Sequence, residues 1–196
     1  MSLAREYFDA MYEANPDPWA FNRRWYEHRK YALTVASLPR RRYGSAFEIG
    51  CSIGVLTEML ATRCDALLAV DTCAAAIAEA SKRNLPPTVT LQQRAIPRQW
   101  PQGSFDLIVM SEVGYYFDDE DLRRTIALTS GALCKGGHLV AVHWREQVEG
   151  YPSNAGVVHT ALRSRPDLVL LAQYADEHFL LDVYGSGARS RLDPPD

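Results

Sequence analysis

Between Ala46 and Trp144 the hydrophobic period changes repeatedly, and this alternation leaves the chain few folds to choose from. The short apolar runs "AFEIG", "ALLAVD", "VTLQQR", "FDLIVMS" and "HLVAVHW" read as strands. The longer amphipathic runs "GVLTEMLATRC", "AAAIAEASKRN" and "EDLRRTIALTSGAL" read as helices between some of them. Near-continuous apolar strands separated by helices imply a parallel sheet covered on both faces. The rhythm then breaks. "LVLLAQYADEHFLLDVYG" offers two runs, Leu168 to Tyr174 and His178 to Tyr184, joined by "ADE", which suits a hairpin and is too short for a crossover. The expected architecture is α/β: a Rossmann-like seven-stranded sheet, parallel with a C-terminal antiparallel hairpin, and helices on both faces.

Ahead of the sheet lies a helical front. "LAREYFDAMYEA" places Leu3, Tyr7, Phe8, Met11 and Tyr12 on one stripe, and "NPDP" stops it, because proline cannot continue a helix. "WYEHRKYALTVASLP" reads as a second helix ending before Pro39, with Tyr26, Arg29, Lys30 and Leu33 offset by three or four. The 196 residues, 47% hydrophobic, suffice for a single domain with one core. Its expected parts are a helical lid over 1–42, a cofactor-binding core over 43–145, a substrate loop and hairpin over 146–185, and a mobile tail over 186–196.

Composition removes several functions. A net charge of −3 offers no general attraction to nucleic acid or anionic membrane, and Arg23-Arg24 and Arg40-Arg41-Arg42 are too short to line a groove. Cys51, Cys64, Cys73 and Cys134 form no C-x-x-C pair and have no partner histidines at finger-like spacing, so neither a metal site nor a disulfide framework is expected. The first residues carry Arg5, Glu6, Asp9 and Glu13 where a signal peptide needs an apolar run, and nowhere do about 18 apolar residues follow one another. A cytoplasmic protein is expected.

The stretch "FEIGCSIGVL", Phe47 to Leu56, is a strand-to-helix turn of the kind at which ligands collect in open α/β sheets. Gly50 and Gly54 let the backbone bend and come close to a ligand. The spacing is G-x-x-x-G, with Ser52 where a dinucleotide fingerprint needs glycine, which counts against a nicotinamide dehydrogenase. Glu48, two residues before Gly50, would repel a pyrophosphate and suits a ligand with an ammonium group. S-adenosylmethionine has that ammonium and no phosphate. Asp71 closes the next strand, at the distance from which a carboxylate accepts from both ribose hydroxyls, and it equally suits an N-cap for "TCAAAIAEA".

The set "FEIGCSIG", "AVD", "FDLIVMSEVGYYF" and "KGGHLVAVHW" resembles class I S-adenosylmethionine-dependent methyltransferases. Within that class "DPW" at Asp17 to Trp19, "WYEHRKY" at Trp25 to Tyr31 and "SEVGYY" resemble the NodS-type nodulation N-methyltransferases. That resemblance implies S-adenosylmethionine as cofactor without a metal, and methyl transfer to the free amine of a deacetylated amino sugar in a chitin-like oligosaccharide. It also implies functional association with a sugar deacetylase or a glycosyltransferase. Many class members carry an acidic residue for the adenine amino group after the third strand. Here "QQRAIP" offers Arg94, Ala95 and Ile96, so adenine is expected to meet the Ala95 backbone and the Ile96 side chain.

The expected cofactor set is Arg29, Glu48, Gly50, Cys51, Gly54, Asp71, Thr72, Ala95, Ile96 and Ser111. Arg29 is assigned to the methionine carboxylate through a charge-assisted bond, against a solvated helix arginine. Methyl transfer needs an aligned lone pair and a proton acceptor. His143, after "HLVAV", is the expected general base, because an imidazole titrates near neutrality; a backbone-satisfied strand-end histidine is its rival. Glu112, after "FDLIVMS", is expected to orient that histidine or bind the ammonium form of the acceptor, against a plain helix-start acid. Tyr26, Tyr115, Tyr116, Trp144, Arg145 and His159 make up the expected acceptor side, with Tyr115, Tyr116 and Trp144 as an aromatic wall and core packing as the rival for either tyrosine. Trp19 and Trp25 are expected to anchor the lid. Three other functions compete: O-methylation of a small natural product, a non-catalytic cofactor-binding module, and the dehydrogenase.

Overall fold

The computed structural model describes residues 1–187; the expected tail thus lies outside the described residues except for its first two positions. The chain runs α1 (Arg5–Ala14), α2 (Trp25–Ala36), β1 (Ala46–Ile49), α3 (Val55–Ala61), β2 (Leu67–Asp71), α4 (Ala74–Ala80), β3 (Val89–Gln93), β4 (Phe105–Ser111), α5 (Asp119–Ala132), β5 (Leu133–Trp144), α6 (Ala155–Arg163), β6 (Leu168–Ala175) and β7 (Phe179–Ser186). One sheet holds all seven strands in the order β3-β2-β1-β4-β5-β7-β6. Strands β1 to β5 are parallel, and β7 enters antiparallel between β5 and β6. The expected architecture is the one observed.

Burial follows the apolar runs. Every residue of β1 is buried, and β4 is buried throughout except at Asp106. One layer of core lies under α5 and α6, around Phe47, Ile108, Met110, Leu139 and Val158; the other lies under α2 and α3, around Tyr43, Leu60, Leu107, Val140 and Phe179. The order of the sheet reverses direction between β1 and β4. There the strand ends diverge, and a crevice opens beyond their carboxyl termini.

Two elements depart from the sequence reading. The stretch assigned to a substrate loop contains α6, capped by the Asn154 side chain, which accepts from Val157 N–H at 3.1 Å. Its buried residues, Ala155, Val158, His159 and Leu162, stand at helical spacing, a signal hidden by the polar residues before it. In α2 the inward face is Glu27, Lys30, Tyr31 and Thr34, so of the expected stripe Tyr26, Arg29, Lys30 and Leu33 only Lys30 is fully buried, and Trp25, expected as an anchor, is 77% exposed. Among the described residues no helix is long and apolar enough to cross a membrane, and no cluster of three or more metal-ligating side chains occurs.

Candidate functional site

A cavity of about 720 Å³ fills the crevice beyond β1, β2 and β4, with α1 as its roof. The first turn shapes one end. Gly50 has φ +74°, and a Cβ there would stand 2.1 Å from Val113 Cγ1, so only glycine lets this turn sit against the loop after β4. Ser52 and Glu112 also take positive φ, 50° and 61°, a conformation uncommon in residues with a Cβ. Both of these constrained residues line the cavity. Strain of this kind persists only where neighbours over-determine it. Here Glu112 is held by its N–H to Val142 O at 2.8 Å and by the Tyr115 hydroxyl, which donates to its Oε2 at 2.6 Å.

Of the expected cofactor residues, Glu48, Gly50, Cys51, Asp71, Thr72, Ala95, Ile96 and Ser111 line the cavity. Asp71 accepts from Ser52 N–H through one oxygen and from Cys73 N–H through the other, each at 2.9 Å, so it shapes the first turn and opens α4 at once. Each oxygen keeps a further lone pair for a hydroxyl. Glu48 is buried and accepts from the Thr57 hydroxyl at 2.7 Å. Burial pushes its carboxyl up to about 7, the Thr57 bond opposing and the nearby Asp71 adding to the rise.

Two members of that set lie elsewhere. Gly54 caps α3 with φ +78° and faces Ala80 at the end of α4 and Arg83 just beyond it, not the cavity. Arg29 is turned away on the outer side of α2. Its guanidinium bonds Asp176 at 2.7 Å and the Tyr174 hydroxyl, tying α2 to the β6–β7 hairpin. The cause is helical phase, since Lys30, one residue on, points inward.

Of the expected acceptor residues, Tyr26, Tyr115, Tyr116 and Trp144 line the cavity, as does Glu112, which meets Tyr115 and Lys30 and does not orient His143, whose ring nitrogens are taken by Gly114 and His159. Tyr151, which the sequence reading missed, stacks on Tyr115 at 5.7 Å and meets Tyr116 edge-on at 5.0 Å, completing an aromatic wall with Phe8 of the roof. Arg145 is not part of it; its guanidinium holds the Asp176 carbonyl across the hairpin end.

His143 and His159 are corrections as well. Both rings are sealed behind the wall, at 0% and 1% exposure. Gly114 N–H donates to His143 Nε2 at 3.0 Å, so that nitrogen must be the acceptor and the ring proton sits on Nδ1. Nδ1 then donates to His159 Nε2 at 3.1 Å, and His159 Nδ1 donates to Asp182 at 2.8 Å. Asp182 also receives Arg163 and the Tyr184 hydroxyl. Burial, then His159 and Lys30, hold the His143 imidazole well below its ordinary value. It has neither a free lone pair nor a path to the cavity, and it serves to position the Gly114–Tyr116 turn.

The roof is fastened at both ends. Leu3 N–H donates to Tyr116 O at 2.9 Å, Ser2 bonds Asp118 and Asp121, and the Tyr12 hydroxyl pairs with the Ser52 hydroxyl on the first turn. Phe8, Tyr12 and Trp19 close the cavity from above.

Comparison with known proteins gives this geometry relatives. The family model described as nodulation protein S (NodS) matches residues 8–153. Nodulation protein S of Rhizobium tropici is 32% identical over 130 residues, covering 65% of this chain and 55% of that protein. The chain spans about half the length of the curated relatives it matches, 50% in the case of Bradyrhizobium diazoefficiens, at 36% identity over 112 residues. Among solved structures, a proposed methyltransferase from Pseudomonas syringae is 43% identical with a TM-score of 0.73, covering 83% of this chain and 99% of that one. The N-methyltransferase NodS from Bradyrhizobium japonicum WM9, in complex with S-adenosyl-L-homocysteine, is 28% identical with a TM-score of 0.83 over 93% of this chain and 97% of that one.

Proposed function

The chain belongs to the nodulation protein S family, and we propose that it is an S-adenosylmethionine-dependent N-methyltransferase acting on the free amine of an amino sugar or an oligosaccharide built from one. The observation that carries this reading is a single cavity with two chemically different ends. The end at the first turn offers Glu48, Asp71 and the Ala95–Ile96 backbone, fitting ammonium, ribose and adenine in turn; the other offers Glu112 and the tyrosine wall. Its volume lies in the upper part of the roughly 300–1,000 Å³ range of small-molecule sites, enough for a nucleoside cofactor with an acceptor beside it. Bound there, the cofactor supplies an activated methyl group, and the protein's part is alignment, exclusion of water and removal of a proton.

The tyrosine wall also suits a flat phenolic acceptor, which is the O-methyltransferase reading; the carboxylate at its base favours an amine. The proposal includes action in the cytoplasm, where the four free cysteines would stay reduced, and association with an enzyme that exposes or installs the amine, a sugar deacetylase or a glycosyltransferase.

Calorimetric titration with S-adenosyl-L-homocysteine, and with NADH as control, tests the reading. S-adenosyl-L-homocysteine is expected to bind and NADH to give no heat. Asp71→Asn is expected to weaken binding about tenfold or more, since hydrogen bonds to a charged group contribute about 1.5–3 kcal/mol. A wild-type protein that binds no S-adenosyl-L-homocysteine sinks it.

A further inference from the structure

Behind the acceptor end Glu27, which the sequence reading did not single out, joins Lys30 and Glu112 in a buried group of charges. Lys30 is 1% exposed and Glu27 is 5% exposed. Lys30 Nζ stands 2.8 Å from Glu27 Oε2 and 3.3 Å from Glu112 Oε1, and its ammonium lies over the Tyr26 ring at 4.8 Å. Both carboxylates line the cavity, whereas Lys30 does not. One cation therefore sits behind two anions that look into the cavity, and the ionised set has an excess negative charge on the open side. A buried net charge is costly unless something compensates it.

The same wall carries two unfilled groups. The Tyr26 hydroxyl and the Ser111 hydroxyl are buried, line the cavity and have no hydrogen-bond partner among the described residues. Buried polar groups are normally satisfied, so each marks a place for a ligand atom. An occupant with a positive charge and several donors answers all four groups together, which a neutral phenol does not.

Resting on the methyl-transfer reading, we propose that Glu27 and Glu112 form a seat for the protonated amine of the acceptor, and that Glu27 takes its proton before transfer. Each carboxylate is partly engaged, Glu112 by the Tyr115 hydroxyl and Glu27 by Lys30 and the Tyr31 hydroxyl, and Glu27 is the better proton acceptor because its side chain is the more buried, 7% exposed against 17%. Burial raises the Glu27 carboxyl above its ordinary value, with Lys30 opposing the rise. R–NH₃⁺ gives a proton to the Glu27 carboxylate, leaving R–NH₂ and a neutral carboxyl. The nitrogen lone pair forms a bond to the methyl carbon while the carbon–sulfur bond breaks, its electron pair going to sulfur. The products are R–NH₂⁺–CH₃ and the neutral thioether, and Glu27 returns its proton to solvent.

The test uses the full chain saturated with S-adenosyl-L-homocysteine, titrated with glucosamine and with N-acetylglucosamine as its uncharged counterpart. Wild type is expected to prefer glucosamine by about tenfold or more. Glu27→Gln and Glu112→Gln are each expected to lose that preference while binding S-adenosyl-L-homocysteine within about twofold of wild type, which also shows that they fold. Single-turnover transfer from labelled S-adenosylmethionine to glucosamine is expected to slow about 100-fold or more in Glu27→Gln, with partial recovery in Glu27→Asp. Equal affinity for the two sugars, no binding of either, or an unaltered preference in Glu27→Gln overturns the seat. An unaltered transfer rate in Glu27→Gln, or no transfer by a wild type that binds both ligands, overturns the proton step. Failure of the methyl-transfer reading shows separately, as loss of S-adenosyl-L-homocysteine binding by wild type.

Discussion

Two buried polar networks lie on either side of the tyrosine wall, and they differ in what they leave undone. Behind the wall, every contact of the His143–His159–Asp182 chain is filled, from Gly114 N–H at one end to Arg163 and Tyr184 at the other. In front of it, Glu27, Lys30 and Glu112 share charge unevenly, and Tyr26 and Ser111 keep hydroxyls with no partner among the described residues. The sealed network has the residue types usually associated with proton transfer, yet it has nothing left to offer a substrate. The open one has the residue types of a solvated helix face, yet its unused capacity is aimed at a cavity. Unspent hydrogen bonding, more than residue type, distinguishes a site from a strut.

Asp182→Ala removes the anion that receives His159, Arg163 and Tyr184, and is expected to lower stability by about 3 kcal/mol in denaturant unfolding, with cofactor affinity nearly unchanged. A loss of binding at full stability would mean that the sealed network is part of the site.

His143→Leu orphans Gly114 N–H and is expected to lower stability by about 1–3 kcal/mol, whereas His143→Gln, which keeps an acceptor, is expected to retain most methyl transfer. The native ring also carries a pH signature. Its folded value is depressed, so below about 6.5 the unfolded chain binds a proton that the folded one refuses, and stability falls with falling pH by up to about 1.4 kcal/mol per unit. His143→Gln should flatten that part of the curve. Abolished transfer in this variant would restore the histidine as a base.

The smallest effects come from a matched pair of hydroxyl deletions. Tyr184→Phe gives up a bond to Asp182 and is expected to lose about 1 kcal/mol of stability; Tyr26→Phe gives up none and is expected to leave the ligand-free protein as stable as before or up to about 1 kcal/mol more so. Equal losses in the two thermal melts would contradict the distinction between filled and unfilled networks.

Most of the fold was legible because β1, β2 and β4 are covered on both faces, which writes them as continuous apolar runs. Helix α6 was not, since its polar lead-in masked the spacing from Ala155 to Leu162. At the site, Glu48, Asp71 and Glu112 follow from topology alone: a residue at the carboxyl end of a strand beside the switch point faces the crevice. Glu27, and with it the role of Lys30, was hidden for a physical reason. The phase of a helix is read from its apolar stripe, and α2 buries charge instead, so the sequence pointed to Arg29 on the opposite side. His143 misled in the reverse sense, because a strand-end histidine has the same sequence context whether its nitrogens are free or filled.

Helix α1 is held over the cavity by polar bonds at its two ends, from Leu3, Ser2 and Tyr12, and by the packing of a few aromatic rings, Phe8 on Tyr116 and Tyr12 beside Ile53 and Trp19. A roof fastened this way separates two clocks. The sheet beneath opens only with global unfolding, while an element held by few contacts parts and recloses many times within that interval. Whatever occupies the cavity then exchanges at the tempo of the roof and not at that of the sheet.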